Sequence, residues 1–480
     1  MTYNETMSTH NPSLVNLEKG VKERVLFVKQ NGAFVPPPMP ISRSHIQKTY
    51  APAMLALRKQ LFTTTPVSAN EFVDMYRGRK RVVYAQAATS LETLPVERKD
   101  SDVRAFTKKE KWNTSLKPDC VPRVVSPRSP RYNVEVGRYL KPIEERLLHA
   151  IGKLFGEKVV FKGMNSLEQG ALMHTKWSRF AHPAAIGLDA SRFDQHTHEW
   201  TLEQEHSVYL SCFNGQDRQE LAKLLSWQRS YRVNGYTRDG SISFKKQGGR
   251  CSGDMNTGLG NCLIACLQVY ARMSSLGFST SSYALINNGD DIVIIIEKKH
   301  LQQFSLNLKE WYLDIGYTMK VEKPVFVFED IEFCQTHPVD TIRGILMVRH
   351  PRVALHKDSM CIDPLNTRRL YEEWIGSVAE GGLSLTGGVP VWQAVYSALK
   401  RSANGRISTT HEESGFWMLA GNLSPKVLPI TDESRASFFL AFGITPDMQI
   451  AIENEYAQVD LSWGPNNTDI EYVGDWFVPI

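Results

Sequence analysis

Long apolar runs are missing from this chain. Crossing a bilayer takes about 18 consecutive apolar residues, and the longest candidates here are short stretches such as Ile292 to Ile296. No membrane span is expected. The N-terminal segment MTYNETMSTHNPSL lacks a basic patch followed by an apolar stretch, which excludes a secretory leader. Cysteines are few: Cys120, Cys212, Cys251, Cys262, Cys266, Cys334 and Cys361 are odd in number and scattered, so no disulfide framework is implied. Reduced thiols of an intracellular protein fit that pattern. Cys262 and Cys266 lie four apart in NCLIACLQVYARM, on a face shared with other apolar residues, and are read as buried small residues rather than metal ligands. Internal repeats and low-complexity blocks are also absent. What remains is ordinary globular composition, 42% hydrophobic and 22% charged over 480 residues, with room for two to three sub-domains.

The formal charge of +5 is modest, but it is unevenly placed. From Arg104 through Arg138 and Lys141 there are ten Lys or Arg against Glu110, Asp119 and Glu135, a local excess of +7. The cluster RGRKR at Arg77 to Arg81 is read as a solvated basic face. Residues 1–40 are polar and end in VPPPMP, which suggests an arm or linker. A helix is expected near Tyr50 to Leu61. Prolines at 122, 127, 130 and 142 argue for strands and loops across the basic region. Alternating helical and strand-like segments follow to about residue 340, and then a mainly helical tail.

The clearest local structure is YALINNGDDIVIII, two β-rich runs flanking an Asn-Gly turn, a strong hairpin signal. It places Asp290 and Asp291 at the mouth of a buried hairpin. Adjacent carboxylates repel and raise one another's pKa unless a cation lies between them, so a divalent metal is their natural occupant. By chance alone a Gly-Asp-Asp tripeptide arises in roughly one chain in ten of this length, so the pair needs support. The run AAIGL leading into DASRFD supplies it, with Asp189 at a strand end and Asp194 just beyond. Phosphoryl transfer by two ions about 3.5 to 4 Å apart requires carboxylates from separate strands. Between the acidic segments lies GGRCSGDMNTGLGN, a glycine-rich loop feeding a helix. Small residues there permit close backbone approach, and Ser252, Thr257 and Asn261 offer hydroxyl and amide groups. Alone, it would be a glycine-rich turn with a capped helix. The pair His196 and His198 is read as pointing in different directions on one helix, against a zinc site.

Taken in order, GLDASRFD, SGDMNTGLGN and NNGDD resemble motifs A, B and C of positive-strand RNA virus RNA-dependent RNA polymerases. PRVVSPRSPRYNVEVGRYLKPIE, GYTMKVEKP and EFCQ look like motifs F, D and E of the tombusvirus and carmovirus group. The similarity covers roughly residues 20 to 350 well, and the C-terminal 130 residues only in general character. It implies an α+β right-hand fold with an antiparallel palm sheet, encircling fingers and a mainly helical thumb. The corresponding divisions are an arm at 1–40, fingers at 41–155, palm at 156–200, a fingers insertion at 201–248, palm at 249–345 and thumb at 346–480. Asp189 and Asp290 would be the principal ligands of two Mg²⁺ or Mn²⁺ ions, with Asp291 auxiliary. Asp194 and Asn261 would read the ribose 2′-hydroxyl, assisted by Ser252 and Thr257. Lys323 would donate a proton to the leaving pyrophosphate, with Lys320 as competitor. Arg123, Lys108, Lys109 and Lys111 would hold the incoming triphosphate.

The resemblance further implies RNA template, nascent RNA and ribonucleotides as partners, with an auxiliary viral replication protein and host factors. The expected location is the host cytoplasm at membrane-associated replication complexes, reached through partners or a missing extension because no anchor is seen. Other readings stay open. A reverse transcriptase would share the acids but place a bulky side chain near the ribose. A viral RNA-binding or packaging protein would use the basic stretch without catalysis, leaving the acidic segments unexplained. A metal-dependent phosphodiesterase would use the acids alone.

Overall fold

Four strands, Tyr283–Asn288, Asp291–Glu297, Pro183–Ala190 and Met319–Val321, make one antiparallel sheet in that order in the computed structural model, which describes residues 7–362, 365–408 and 420–461. Its strands read as continuous apolar runs because both faces are covered. Leu188, Ile292, Ile294 and Leu285 on one face enter the largest core, with Leu259, Leu263 and Leu267 of the helix Thr257–Ser275. Ala185, Ile286, Val293 and Ile295 on the other pack with Phe161, Met173 and Phe333.

The expected hairpin forms, but its turn is shifted by one residue. Asn288 pairs with Asp291, so the loop is Gly289-Asp290 rather than Asn288-Gly289. Gly289 takes the positive φ of +79° that the first loop position of such a turn demands. Asn287 fixes this register: fully buried, its amide donates to the carbonyls of Gly289 and Asp291, and its side-chain oxygen accepts from the Gly289 amide.

A second sheet joins distant segments in the order Val124–Val125, Val103–Thr107, Ser230–Thr237, Gly240–Gln247. Its central pair is parallel and the others antiparallel. The helix Leu14–Val21 covers one face, burying Leu17 and Val21 against Val103, Ala105, Tyr231 and Val233. The arm-or-linker expectation for residues 1–40 is therefore corrected. Composition hid a helix capped by Ser13, and Met7–Thr9 also pairs with Lys111–Asn113. The proline-rich run at 36–40 lies in neither helix nor strand.

Two helix expectations also change. The first long helix spans Arg43–Arg58, capped by Ser42, and begins earlier than the 50–61 reading. Pro130–Phe155 is one helix despite Pro142. Pro130 sits in its first turn, where the missing N–H costs nothing. The carbonyl of Arg138, which Pro142 cannot serve, accepts instead from the Val67 amide at 3.1 Å.

Beyond the hairpin Thr336–Thr341 and Gly344–Arg349, the helices Arg368–Thr386, Trp392–Ser402, Asp432–Phe442 and Pro446–Gln458 enclose a separate core around Trp374, Trp392 and Phe438. That agrees with a mainly helical tail; the parts of the 1–40 and 346–480 readings at 1–6, 363–364, 409–419 and 462–480 lie outside the described residues. No described helix is long and apolar enough to cross a membrane.

Candidate active site

Strand register alone sets the acids side by side. Asp291 lies opposite Asn288 on one side and Asp189 on the other, and Asp189 lies opposite Lys320. Directly opposed residues share a face, so Asn288, Asp291, Asp189 and Lys320 form one row across four strands. Asp290 occupies the turn beside that row. The row continues the face lined by Val293 and Ala185, at its solvent-exposed end. Gly187 leaves room on this face for Glu322: a Cβ there would come within 2.1 Å of the Glu322 carboxylate, which pairs with Lys320 at 3.7 Å. Lys323 lies past the end of the strand and is exposed. The row thus contains Lys320 and not Lys323.

Asp194 sits on the short helix Phe193–His196 that follows the Pro183–Ala190 strand. Asn261, on the first turns of Thr257–Ser275, donates its amide to Asp194 Oδ1 at 2.8 Å, and its buried side-chain oxygen has no protein partner. The Gly289 turn lies against the same residue, with a built Cβ 3.7 Å from that of Asn261. Ser252 and Thr257 are engaged elsewhere. Ser252 Oγ accepts from the Ser126 amide at 3.1 Å, and the Thr257 hydroxyl donates to the Cys251 carbonyl at 2.7 Å. His196 and His198 do not share a helix: His196 ends Phe193–His196, while His198 caps Glu199–Leu210 and accepts from the Trp200 amide.

The basic stretch divides. Arg123 and Lys108 both approach Glu110, at 3.4 and 3.5 Å, and the Arg123 charge reaches Asp290. Lys109 donates to the Ile362 carbonyl at 3.3 Å and Lys111 to that of Lys357 at 3.0 Å, which ties this loop to the end of the helix Pro351–Asp358. Arg131, Arg138 and Lys141 pair with Asp100, Glu135 and Glu144. Arg128 is buried against Asp254. Much of the +7 excess therefore serves the structure.

Among the described residues, Asp189, Asp290 and Asp291 form no ion pair. Loss of solvent raises the Asp290 pKa; a backbone hydrogen bond lowers it, Asp189 raises it and Arg123 lowers it. Asp291 is pushed up to about 6, first by the same desolvation and then by Asp290 and Asp189, against a hydrogen bond from the Cys334 thiol. Desolvation likewise raises Asp194, opposed by Asn261 and Arg250. Acids disfavoured in their charged forms, on which Arg123 and Arg250 act without forming an ion pair, suit a divalent ion. No three His, Cys, Asp or Glu side chains among the described residues converge as a ready ligand cage. An arrangement completed by substrate phosphates is the usual one for Mg²⁺.

A family model described as viral RNA dependent RNA polymerase matches residues 1–464. The chain belongs to that family. It is 41% identical over 456 residues to the RNA-directed RNA polymerase of tomato bushy stunt virus (strain Cherry), covering 94% of this chain and 54% of the relative. The corresponding protein of tobacco necrosis virus (strain A) is 41% identical over 453 residues, 93% of this chain and 61% of the relative. That of carnation mottle virus is 41% identical over 461 residues, 94% and 59%. The chain thus spans little more than half the length of these relatives. The family match also reaches well past residue 350, where the sequence resemblance was only general.

Sequence reasoning missed the supports under this polymerase-family site. Glu205 and Arg250 are a fully buried ion pair, with Arg250 Nη1 3.1 Å from Glu205 Oε1, and Asn256 also donates to Glu205. The Arg250 backbone amide donates to the Asp194 carbonyl at 2.8 Å. Together with Arg128–Asp254, this pair pins the glycine-rich loop at both ends. Gly260 is needed for it, since a Cβ there would sit 2.4 Å from Glu205 Oε1 and 2.7 Å from the Arg250 guanidinium. Glycines alternating through TGLGN were the one available signal.

Proposed function

We propose that this chain is the catalytic region of an RNA-dependent RNA polymerase that copies a positive-strand viral genome. The observation that carries the reading is the acidic row, Asp291 beside Asp189 on adjacent strands with Asp290 in the turn, facing the Asp194–Asn261 pair. In right-hand terms the central sheet is the palm, the sheet of 103–125 and 230–247 belongs to the fingers, and the helices from 351 form the thumb.

Asp189 and Asp290 would hold two Mg²⁺ or Mn²⁺ ions, with Asp291 auxiliary. Once bound, such ions activate the attacking 3′-hydroxyl and stabilise charge on the leaving pyrophosphate. The chain's own residues do the rest. Arg123 and Lys108 receive the triphosphate, with Lys109 and Lys111 holding the loop that carries them. Asp194 accepts from the ribose 2′-hydroxyl, while the free oxygen of Asn261 offers a second acceptor. Lys320, in the row with Asp189, is better placed than Lys323 to protonate pyrophosphate. Template pairing selects the nucleotide, and the protein supplies geometry and charge. Auxiliary viral and host proteins would bring the enzyme to membranes.

Incorporation of ribonucleotides and deoxyribonucleotides on one RNA template tests this reading. Clear preference for ribonucleotides is expected. Equal or better deoxyribonucleotide use would favour a reverse transcriptase, and no incorporation at all a packaging protein.

A further inference from the structure

The second sheet has a face that the site does not use. Its inner face is sealed by Leu14–Val21, but the outward positions on its strands face solvent. On Val103–Thr107 these are Arg104 and Phe106, and on Ser230–Thr237 they include Arg232 and Tyr236. Phe106 is 47% and Tyr236 63% exposed. The Arg104 guanidinium lies 5.9 Å from the Tyr236 ring, and Arg232 pairs across the sheet with Lys245. No outward position on the four strands carries a carboxylate. Ser243 and Asn234, opposite each other between these groups, are joined by a 2.8 Å hydrogen bond and add amide and hydroxyl groups.

Exposed rings flanked by cations and polar groups on a sheet are the chemistry of single-strand recognition. Rings stack on bases of any identity, cations meet phosphates, and amides meet ribose hydroxyls. An apolar protein partner would not call for three cations, and an acidic peptide would leave the two rings without a role. The glycine-rich loop packs on the inner side, with Cys251 among Leu17, Tyr231 and Val233, and the outward face is joined to it through the edge strand. Phe106 pairs with Val125, and the next residue, Ser126, donates to Ser252 at the start of the glycine-rich loop. Arg123, whose charge reaches Asp290, lies two residues before Val125 on the other side.

We propose that Phe106 and Tyr236, flanked by Arg104, Arg232 and Lys245, form a stacking platform for single-stranded RNA approaching the active site. That the strand is template rests on the polymerase reading; the binding itself does not. The test uses the full chain without divalent ions or nucleotides, so it is independent of incorporation. Fluorescence anisotropy would follow a labelled oligouridylate of about 16 nucleotides, with a base-free polyphosphate as control. Phe106→Ala with Tyr236→Ala is expected to weaken oligouridylate binding about ten-fold and leave polyphosphate binding unchanged. Tyr236→Phe, which keeps the ring, should bind as the parent does. Arg104→Gln with Arg232→Gln should flatten the dependence of log affinity on log salt by about 1.4, at about 0.7 per lost phosphate contact. All these side chains are exposed, so the melting midpoint should not move and checks that each variant folds. Unchanged oligouridylate affinity in the alanine pair would overturn the proposal, as would equal loss against polyphosphate. Failed ribonucleotide incorporation with platform binding intact would instead count against the polymerase reading alone.

Discussion

Asp291 stands directly opposite Asp189 on a neighbouring antiparallel strand, two carboxylates on one face with no protein cation paired to either among the described residues. Their mutual repulsion is a cost that folding accepts here. It sets a pH signature. An acid whose folded pKa is raised binds its proton more tightly in the folded state, so stability falls as pH rises from the ordinary aspartate range to about 6, the value of Asp291. Solvent reaches this side chain, which limits the effect to about 1 kcal/mol or less. Without divalent ions, Asp291→Asn should therefore melt higher than the parent at pH 7 and no higher at pH 4. Added Mg²⁺ should stabilise the parent more at pH 7 than at pH 5. Thermal melts across that range, with and without chelator, check both.

The identity of the proton donor separates two lysines three residues apart. Lys320 shares the row with Asp189, whereas Lys323 lies beyond the strand. General acids contribute about 10²-fold or more, so Lys320→Met should lower single-turnover incorporation by about that factor. Lys323→Met should change the rate only a few-fold. The reverse order would return the role to Lys323.

Beneath the loop, breaking the buried Glu205–Arg250 pair should be severe. Removing one partner of such a pair costs about 3–5 kcal/mol, so Glu205→Ala is expected to shift the urea midpoint by a large fraction of total stability. Gly260→Ala, which forces a methyl group into the same pair, should cost about 1–3 kcal/mol and raise the KM for ribonucleotides by displacing Asp194 and Asn261. A Gly260→Ala protein with parental stability would show that the loop is not held this way.

The acids, the glycine-rich loop and the hairpin were legible in the sequence because each is a local pattern. Apolar runs meet at a turn, and small residues precede a helix. What escaped depends on partners far along the chain. Glu205 lies 45 residues from Arg250, and Arg128 lies 126 from Asp254, so nothing in either neighbourhood announces the pair. Pro142 misled because the fold supplies a replacement donor in Val67, 71 residues from the Arg138 that accepts it. The one-residue shift of the turn likewise follows from a tertiary cause, the burial of Asn287. Residues 1–40 were misjudged by composition, although Leu14, Leu17 and Val21 are spaced to line one side of a helix.

Sugar selection should depend on the contact between Asp194 and Asn261. Asn261→Ala removes the buried acceptor and the hydrogen bond that orients the carboxylate. Discrimination for ribonucleotides over deoxyribonucleotides is expected to fall about ten-fold or more, in the range that a lost buried hydrogen bond brings. The ratio of kcat/KM for a matched pair of nucleotides reads it. A change in kcat with the ratio unaltered would assign Asn261 a purely structural part.

Most direct is template-dependent incorporation of labelled ribonucleotides with Mg²⁺ or Mn²⁺, comparing the parent chain with Asp290→Ala, alongside RNA binding by both. Synthesis should be abolished in the variant while RNA affinity stays largely intact, because the acid acts on the metal and not on the template. Polymerisation retained by Asp290→Ala would contradict the assignment of the acidic row as the catalytic centre.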